Sequence, residues 1–206
     1  MGSSQKDLFP FDYHRMIVGY HGCDRSVVEK VLLQGESLHP SDNLFDWLGK
    51  GIYFWEYAPQ RAFDFAREQK ERGKVKEPAV LGAYLHLGRC FDLTDTRNTK
   101  KLIEAFQEFS TSYQQMGQEL PLNKKGKGSQ DLLLRNLDCA VLNWYMSLLD
   151  LTFSEGIFYQ TIRGVFVEGE PIYKGAGIYE KTHTQIAVRD PLCILGYFLP
   201  AIRGES

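Results

Sequence analysis

At 206 residues, with 43% hydrophobic and 13% aromatic side chains, the chain is long enough to bury one sizeable core and short for two, so a single domain spanning 1–206 is expected. Its 24 Lys and Arg against 26 Asp and Glu leave a net charge of −2, which excludes a global attraction to nucleic acid or an anionic membrane and confines any such contact to a local patch. No apolar run approaches the roughly 18 residues of a membrane span, and the start lacks the basic-then-apolar pattern of a signal peptide, so a soluble cytoplasmic protein is expected.

Residues 16–20 are short and apolar enough for a buried strand that delivers His21 and Gly22 at its end. Asp24 or Ser26 then caps a helix whose Val27, Val28, Val31 and Leu32 recur at helical spacing, and Gly35 ends it. Residues 51–55 read as a second strand, and Pro59 suits the first turn of a helix running to about Gly73. Residues 79–87 form a third strand.

The middle of the chain is helical. Residues 98–117 predict a mixed polar and aromatic helix, and 130–149 a longer one with a buried stripe of Leu133, Leu137, Ala140, Val141, Trp144 and Leu148. Between them lies a basic loop with Lys124, Lys125, Lys127 and Gly128. Strands return at 163–167, 184–188 and 193–199, separated by turns at 168–171 and 189–191. This order predicts an α+β fold, a mixed sheet with flanking helices and an inserted helical pair at about 97–150.

Cys23, Cys90, Cys139 and Cys193 lack the close pairing of zinc ligands, so thiols are expected, with neither metal nor disulfide. His14, His39 and His86 show no metal or triad spacing and are read as structural. Gly49-Lys50-Gly51 fits neither a Walker loop nor a dinucleotide fingerprint. Its two glycines allow a sharp turn and a close backbone approach to a ligand, with Tyr53 presented from the strand that follows. Arg61, Arg67 and Arg72 fall at roughly helical spacing behind Tyr53, where they are read either as diphosphate contacts or as a solvated face. Trp55-Glu56-Tyr57 either walls a pocket or packs.

Tyr20-His21-Gly22, then Leu48-Gly49-Lys50-Gly51-Ile52-Tyr53-Phe54, then Ala62 at the start of a helix, together resemble the catalytic domains of the poly-ADP-ribose polymerase and diphtheria-toxin branch of ADP-ribosyltransferases, named for a His-Tyr-Glu triad. The resemblance implies a split mixed sheet and NAD as ADP-ribose donor, with no metal. It implies that His21 hydrogen-bonds a ribose hydroxyl, that the Gly22 backbone meets the carboxamide, and that Tyr53 stacks on nicotinamide. Tyr20, Gly51, Arg61 and Ala62 join the cofactor-binding set on the same grounds.

On the late strand, where that family carries glutamate, the chain has His183-Thr184-Gln185, and the nearest carboxylate is Glu180. Nicotinamide departure builds positive charge on the ribose, so losing one well-placed electrostatic group costs about 10²–10³ in rate unless another replaces it. Gln185, Glu180 and His183 are therefore the catalytic candidates, with the third group supplied by either Gln185 or Glu180. The missing glutamate implies mono- rather than poly-ADP-ribosylation. The acceptor stays open between a nucleic-acid base and a protein side chain: the glycine-rich loop 173–181 would contact it, and the lysine loop favours nucleic acid locally. The chain is also similar to the toxins of toxin–antitoxin or phage-defence systems, which implies a neutralising antitoxin protein. A catalytically silent NAD or ADP-ribose binding module and an NAD glycohydrolase are the alternatives.

Overall fold

The computed structural model describes residues 12–126, 130–153 and 156–201. The side chain of His14, together with Lys127 and Gly128, lies outside the described residues. The elements run β1 (Asp12–Asp24), α1 (Arg25–Gln34), β2 (Ile52–Glu56), α2 (Pro59–Glu71), β3 (Pro78–Asp92), α3 (Thr96–Gln115), α4 (Asn136–Thr152), β4 (Thr161–Phe166), β5 (His183–Val188) and, after a short 3-10 turn, β6 (Ile194–Phe198). The fold is α+β. Its six strands lie in the order β1-β2-β5-β4-β3-β6, and β1 also pairs with β3, so the ladder pairings close into a ring. The sheet is mixed, because β3 and β4 are parallel while the other pairs are antiparallel.

Strand alternation divides the molecule into two packed faces. On β2, Ile52 and Phe54 enter the core under α1, with Ile186 and Val188 of β5, Leu85 of β3, and Val28 and Val31 of α1. The opposite face of the same strands carries Tyr53 and Ala187, which pack with Ile162, Phe91 and the Leu142 and Met146 side of α4. Trp55 packs with Ala62 of α2 and Val80 of β3. Helix α4 covers the Ala187 end of this second face. Gln185 and His183, two and four residues back along β5, share the face beyond that cover.

Three elements differ from their sequence reading, one of them β3, which runs on past residue 87 to Asp92. β1 does not stop at residue 20: its ladder with β3 continues to Asp24↔Pro78, so His21 and Gly22 sit inside the strand and Asp24 caps α1 directly by accepting from Ser26 N. Helix α4 starts at Asn136, because residues before it are drawn into a bridge with the basic loop, Lys124 N–H to Leu134 O at 2.8 Å and Leu134 N–H to Lys124 O at 3.0 Å. Asn123 Oδ1 then accepts from Leu137 N at 2.9 Å and fixes the helix start. The buried stripe of α4 is Cys139, Val141, Leu142 and Met146, while Leu148 is exposed and Leu133 lies outside the helix.

Among the described residues, no helix is long and apolar enough to cross a membrane, and no group of three or more His, Cys, Asp or Glu side chains is placed to hold a metal ion. All four cysteines are buried. Burial pushes the Cys23 and Cys90 thiols up to about 12 and Cys139 to about 11, which keeps them protonated and unreactive.

Candidate functional site

The uncovered half of the second face opens into a cleft of about 490 Å³, within the size range of small-molecule sites. Its lining includes His21 and Gly22 from β1, Tyr53 and Trp55 from β2, Arg61 and Phe65 from α2, and Gln185 and His183 from β5.

The cleft originates in a ladder that stops early. β1 and β2 pair only at Gly19↔Glu56 and Tyr20↔Trp55. Val18 O accepts from Tyr57 N at 3.0 Å, so strand alternation turns the peptide groups of Val18, Tyr20 and Gly22 toward β2. Gly22 would meet Tyr53 next, but the strands have parted, and the Tyr53 carbonyl accepts instead from the His21 ring, Nδ1 to O at 2.8 Å. Two consequences follow for the chemistry. Strand alternation turns the Gly22 N–H and C=O, a donor and an acceptor side by side, toward the opening, where β2 has no residue in register with them. A carbonyl only accepts, so His21 carries its proton on Nδ1, and Nε2 is the lone pair left for a hydroxyl donor.

Tyr53 holds its position through the turn that precedes it. Gly49 adopts φ +74, a left-handed conformation that glycine takes without strain, and its N–H bonds Asp46 O at 2.7 Å. The Tyr53 hydroxyl donates to Gly49 O at 2.8 Å and accepts from Leu48 N at 2.9 Å. Burial, aided by Asp46, raises the phenol well above its ordinary value. With its hydroxyl committed, Tyr53 offers the cleft a ring and no proton chemistry. Gly49 thus serves Tyr53, while the Gly51 N–H and C=O both bond Ser41 and Gly51 is not among the residues that line the cleft.

Gln185 is buried at 8% exposure, and its Oε1 accepts from Trp47 Nε1 at 2.5 Å. Indole N–H is only a donor, so this bond fixes the amide orientation and leaves the Nε2 donor for the cleft. Trp47 reaches Gln185 by lying over Gly164 of β4, where a Cβ would stand 2.6 Å from the indole. His183 is also buried, its Nδ1 bonded to Lys181 O and its ring stacked on Phe166 at 5.7 Å. At that end Arg61 crosses Trp55, guanidinium to ring 5.9 Å, and pairs with Glu168 at 2.8 Å.

The structure therefore brings together His21, Gly22, Tyr53, Arg61, His183 and Gln185. Tyr20 packs edge-on against Phe198 instead, and Ala62 is fully buried beneath Gly22. Glu180 is exposed beside Gly169, away from the cleft lining. The buried carboxylate of the cleft is Glu168, two residues beyond β4, which sequence reading passed over as part of a turn. Trp47 was missed too, although it directly precedes the Leu48-Gly49 string. His39 lines the cleft mouth, as does Arg72, whereas Arg67 is exposed beside Asp64.

No family model matches the chain. Over 86 residues it is 38% identical to the uncharacterized protein MJ0359 of Methanocaldococcus jannaschii, a stretch that is 40% of this chain and 39% of that protein. The chain is similar to well under half of that relative's length, and the likeness names no activity.

Desolvation lowers the pKa of both His21 and His183 below their ordinary 6.5, outweighing the backbone bond that each ring makes. Burial thus favours the neutral ring of both in the folded protein. As pH falls through 6.5 the unfolded chain takes up these protons first, so the stability they contribute is complete above that value and is lost below it. The thermal unfolding midpoint should therefore fall between about pH 7 and about pH 5, and the fall should shrink in His21→Gln. A midpoint that is flat across that range would mean that both rings protonate in place.

Proposed function

We propose that the cleft binds NAD by its nicotinamide end and that the protein transfers single ADP-ribose units to a macromolecular acceptor, releasing nicotinamide. The observation that carries this reading is the parting of β1 from β2, which sets the Gly22 peptide groups, the His21 Nε2 lone pair and the Tyr53 ring around one opening. A carboxamide needs one donor and one acceptor, and Gly22 has both. A ribose hydroxyl needs an acceptor, and His21 Nε2 supplies it. The Tyr53 ring provides a face for the pyridine, and the Gln185 Nε2 donor holds a second ribose oxygen.

What the chain lacks is a charge at Gln185. Positive character on the ribose is then met by the dipole of an amide, and turnover is expected to be slow by about 10²–10³ relative to a carboxylate in that place. The same feature favours the second reading, a module that binds NAD without cleaving it. An NAD glycohydrolase differs only in using water as acceptor.

The test is incubation of the protein with adenine-labelled NAD and a whole-cell extract, with ribonuclease, deoxyribonuclease or protease treatment afterwards, alongside Tyr53→Ala. Label in a macromolecular fraction of the wild type alone is the expected outcome. Free ADP-ribose without macromolecular label would identify a hydrolase, and intact bound NAD a silent module. Absence of NAD binding would sink the proposal.

A further inference from the structure

The far end of the cleft is built for a group other than nicotinamide. Three buried N–H groups there have no hydrogen-bond partner: Trp55 Nε1, Arg61 Nε and Arg61 Nη1. Trp55 is only 3% exposed. Orphaned buried donors are costly: Trp55 Nε1 and Arg61 Nε have no acceptor, and Arg61 Nη1 has only the Glu68 carboxylate at 3.7 Å, beyond hydrogen-bond reach. The aromatic rings beside them form one contiguous surface: Trp55 lies against Phe65 at 4.9 Å and against His183 at 6.1 Å, His183 against Phe166 at 5.7 Å, and Phe166 against Trp47 at 5.1 Å. His183 adds an acceptor, because its Nδ1 is spent on Lys181 O and Nε2 is left.

Charge narrows the choice. Arg61 already sits between Glu168 at 2.8 Å and Glu68 at 3.7 Å, and Lys181 bonds Glu68 at 3.0 Å. An acidic side chain entering here would face two carboxylates, and a guanidinium or ammonium would face Arg61. A neutral planar ring with carbonyl oxygens and an N–H meets neither penalty. The mouth is of opposite character to the depth: exposed Arg72 and Lys74 line it, and Leu134, which also lines it, is bridged to exposed Lys124.

We propose that the acceptor is a nucleobase of a single-stranded nucleic acid, laid against these aromatic rings with its carbonyl oxygens turned to Trp55 and Arg61 and its ring N–H to His183. The proposal rests on the NAD reading above. The base nitrogen bonds the ribose carbon as the bond to nicotinamide breaks, nicotinamide leaves neutral with that bond's electron pair, and the base's proton passes to His183 Nε2 and then to water. The rim cations hold the strand by its phosphates, and unpaired bases are needed because a base inside a duplex cannot reach the cleft.

The test supplies the full chain with adenine-labelled NAD and mixed-sequence single strands of DNA or of RNA containing all four bases. The same strands annealed to complements, and a nuclease-treated protein extract, form the other arms. Label on a single strand, at least about tenfold above its duplex, is expected. His183→Asn should cut that transfer by about 10²–10⁴ while NAD binding persists. The surface variant Arg72→Gln/Lys74→Gln should raise the KM for the strand far more than it lowers kcat. It should also flatten the salt slope of strand binding by about 0.7 for each phosphate that the variant no longer neutralises. Label confined to protein, or nicotinamide release with no labelled strand, would overturn the nucleobase assignment and leave the NAD reading standing. A wild type that does not bind NAD would overturn both.

Discussion

Replacing Gly22 with alanine is expected to destabilise the protein by about 3 kcal/mol or more and to abolish ligand binding at the cleft. A Cβ on Gly22 would stand 2.0 Å from the Ala62 carbonyl oxygen and 2.9 Å from its carbon, so the obstacle is the α2 backbone and not a side chain that can rotate away. Either α2 recedes from β1 or the strand bends. Ala62 is fully buried, so recession opens a void beneath it, and Arg61 moves with the helix away from Trp55 and Glu168. Urea unfolding measures the first effect and NAD titration the second. The control is Gly177→Ala, where an added Cβ meets nothing within 4 Å and the change should stay within about 0.5 kcal/mol. A Gly22→Ala variant as stable as wild type would mean that α2 is not held against β1.

Gln185→Glu is expected to raise nicotinamide release by about 10²-fold. A carboxylate accepts from Trp47 Nε1 as the amide does, so the side chain keeps its orientation while gaining the charge that a positive ribose rewards. At 8% exposure that carboxylate is partly desolvated, which raises its pKa, so the gain should grow with pH through the acidic range. Single-turnover assays that count nicotinamide would show it. A slower variant with unaltered folding would place the advantage in the Nε2 donor, and with it the case for a site that binds NAD without cleaving it.

What the sequence made legible was local. The helix after Asp24, the proline start of α2 and the turn before Tyr53 are each encoded within a few neighbouring residues, and the structure has them at those places. The partners that complete the cleft are not local. Trp47 and Gln185 lie 138 positions apart and Arg61 and Glu168 lie 107 apart, so both pairings depend on how β4 and β5 register in the sheet. Helical spacing also misplaced the start of α4, because Leu133 and Leu134 continue its apolar rhythm while their backbone belongs to the bridge with Lys124. Glu180 was the nearer carboxylate in sequence to Gln185, but a hairpin carries it outward, and Glu168 returns along β4 to the cleft.

Trp47 has one further consequence. It lines the cleft beside Gln185 and also a second cavity of about 440 Å³ between α3 and α4, with Leu102, Ile103 and Phe106. One indole is thus a partition with a different compartment on each side. Of the three tryptophans, Trp47 and Trp55 border the cleft, while Trp144 stands apart against Phe109. Two of the three native emitters therefore report on the cleft, and anything that wedges open the helical pair will reach the emission twice, through Trp144 directly and through Trp47 from behind.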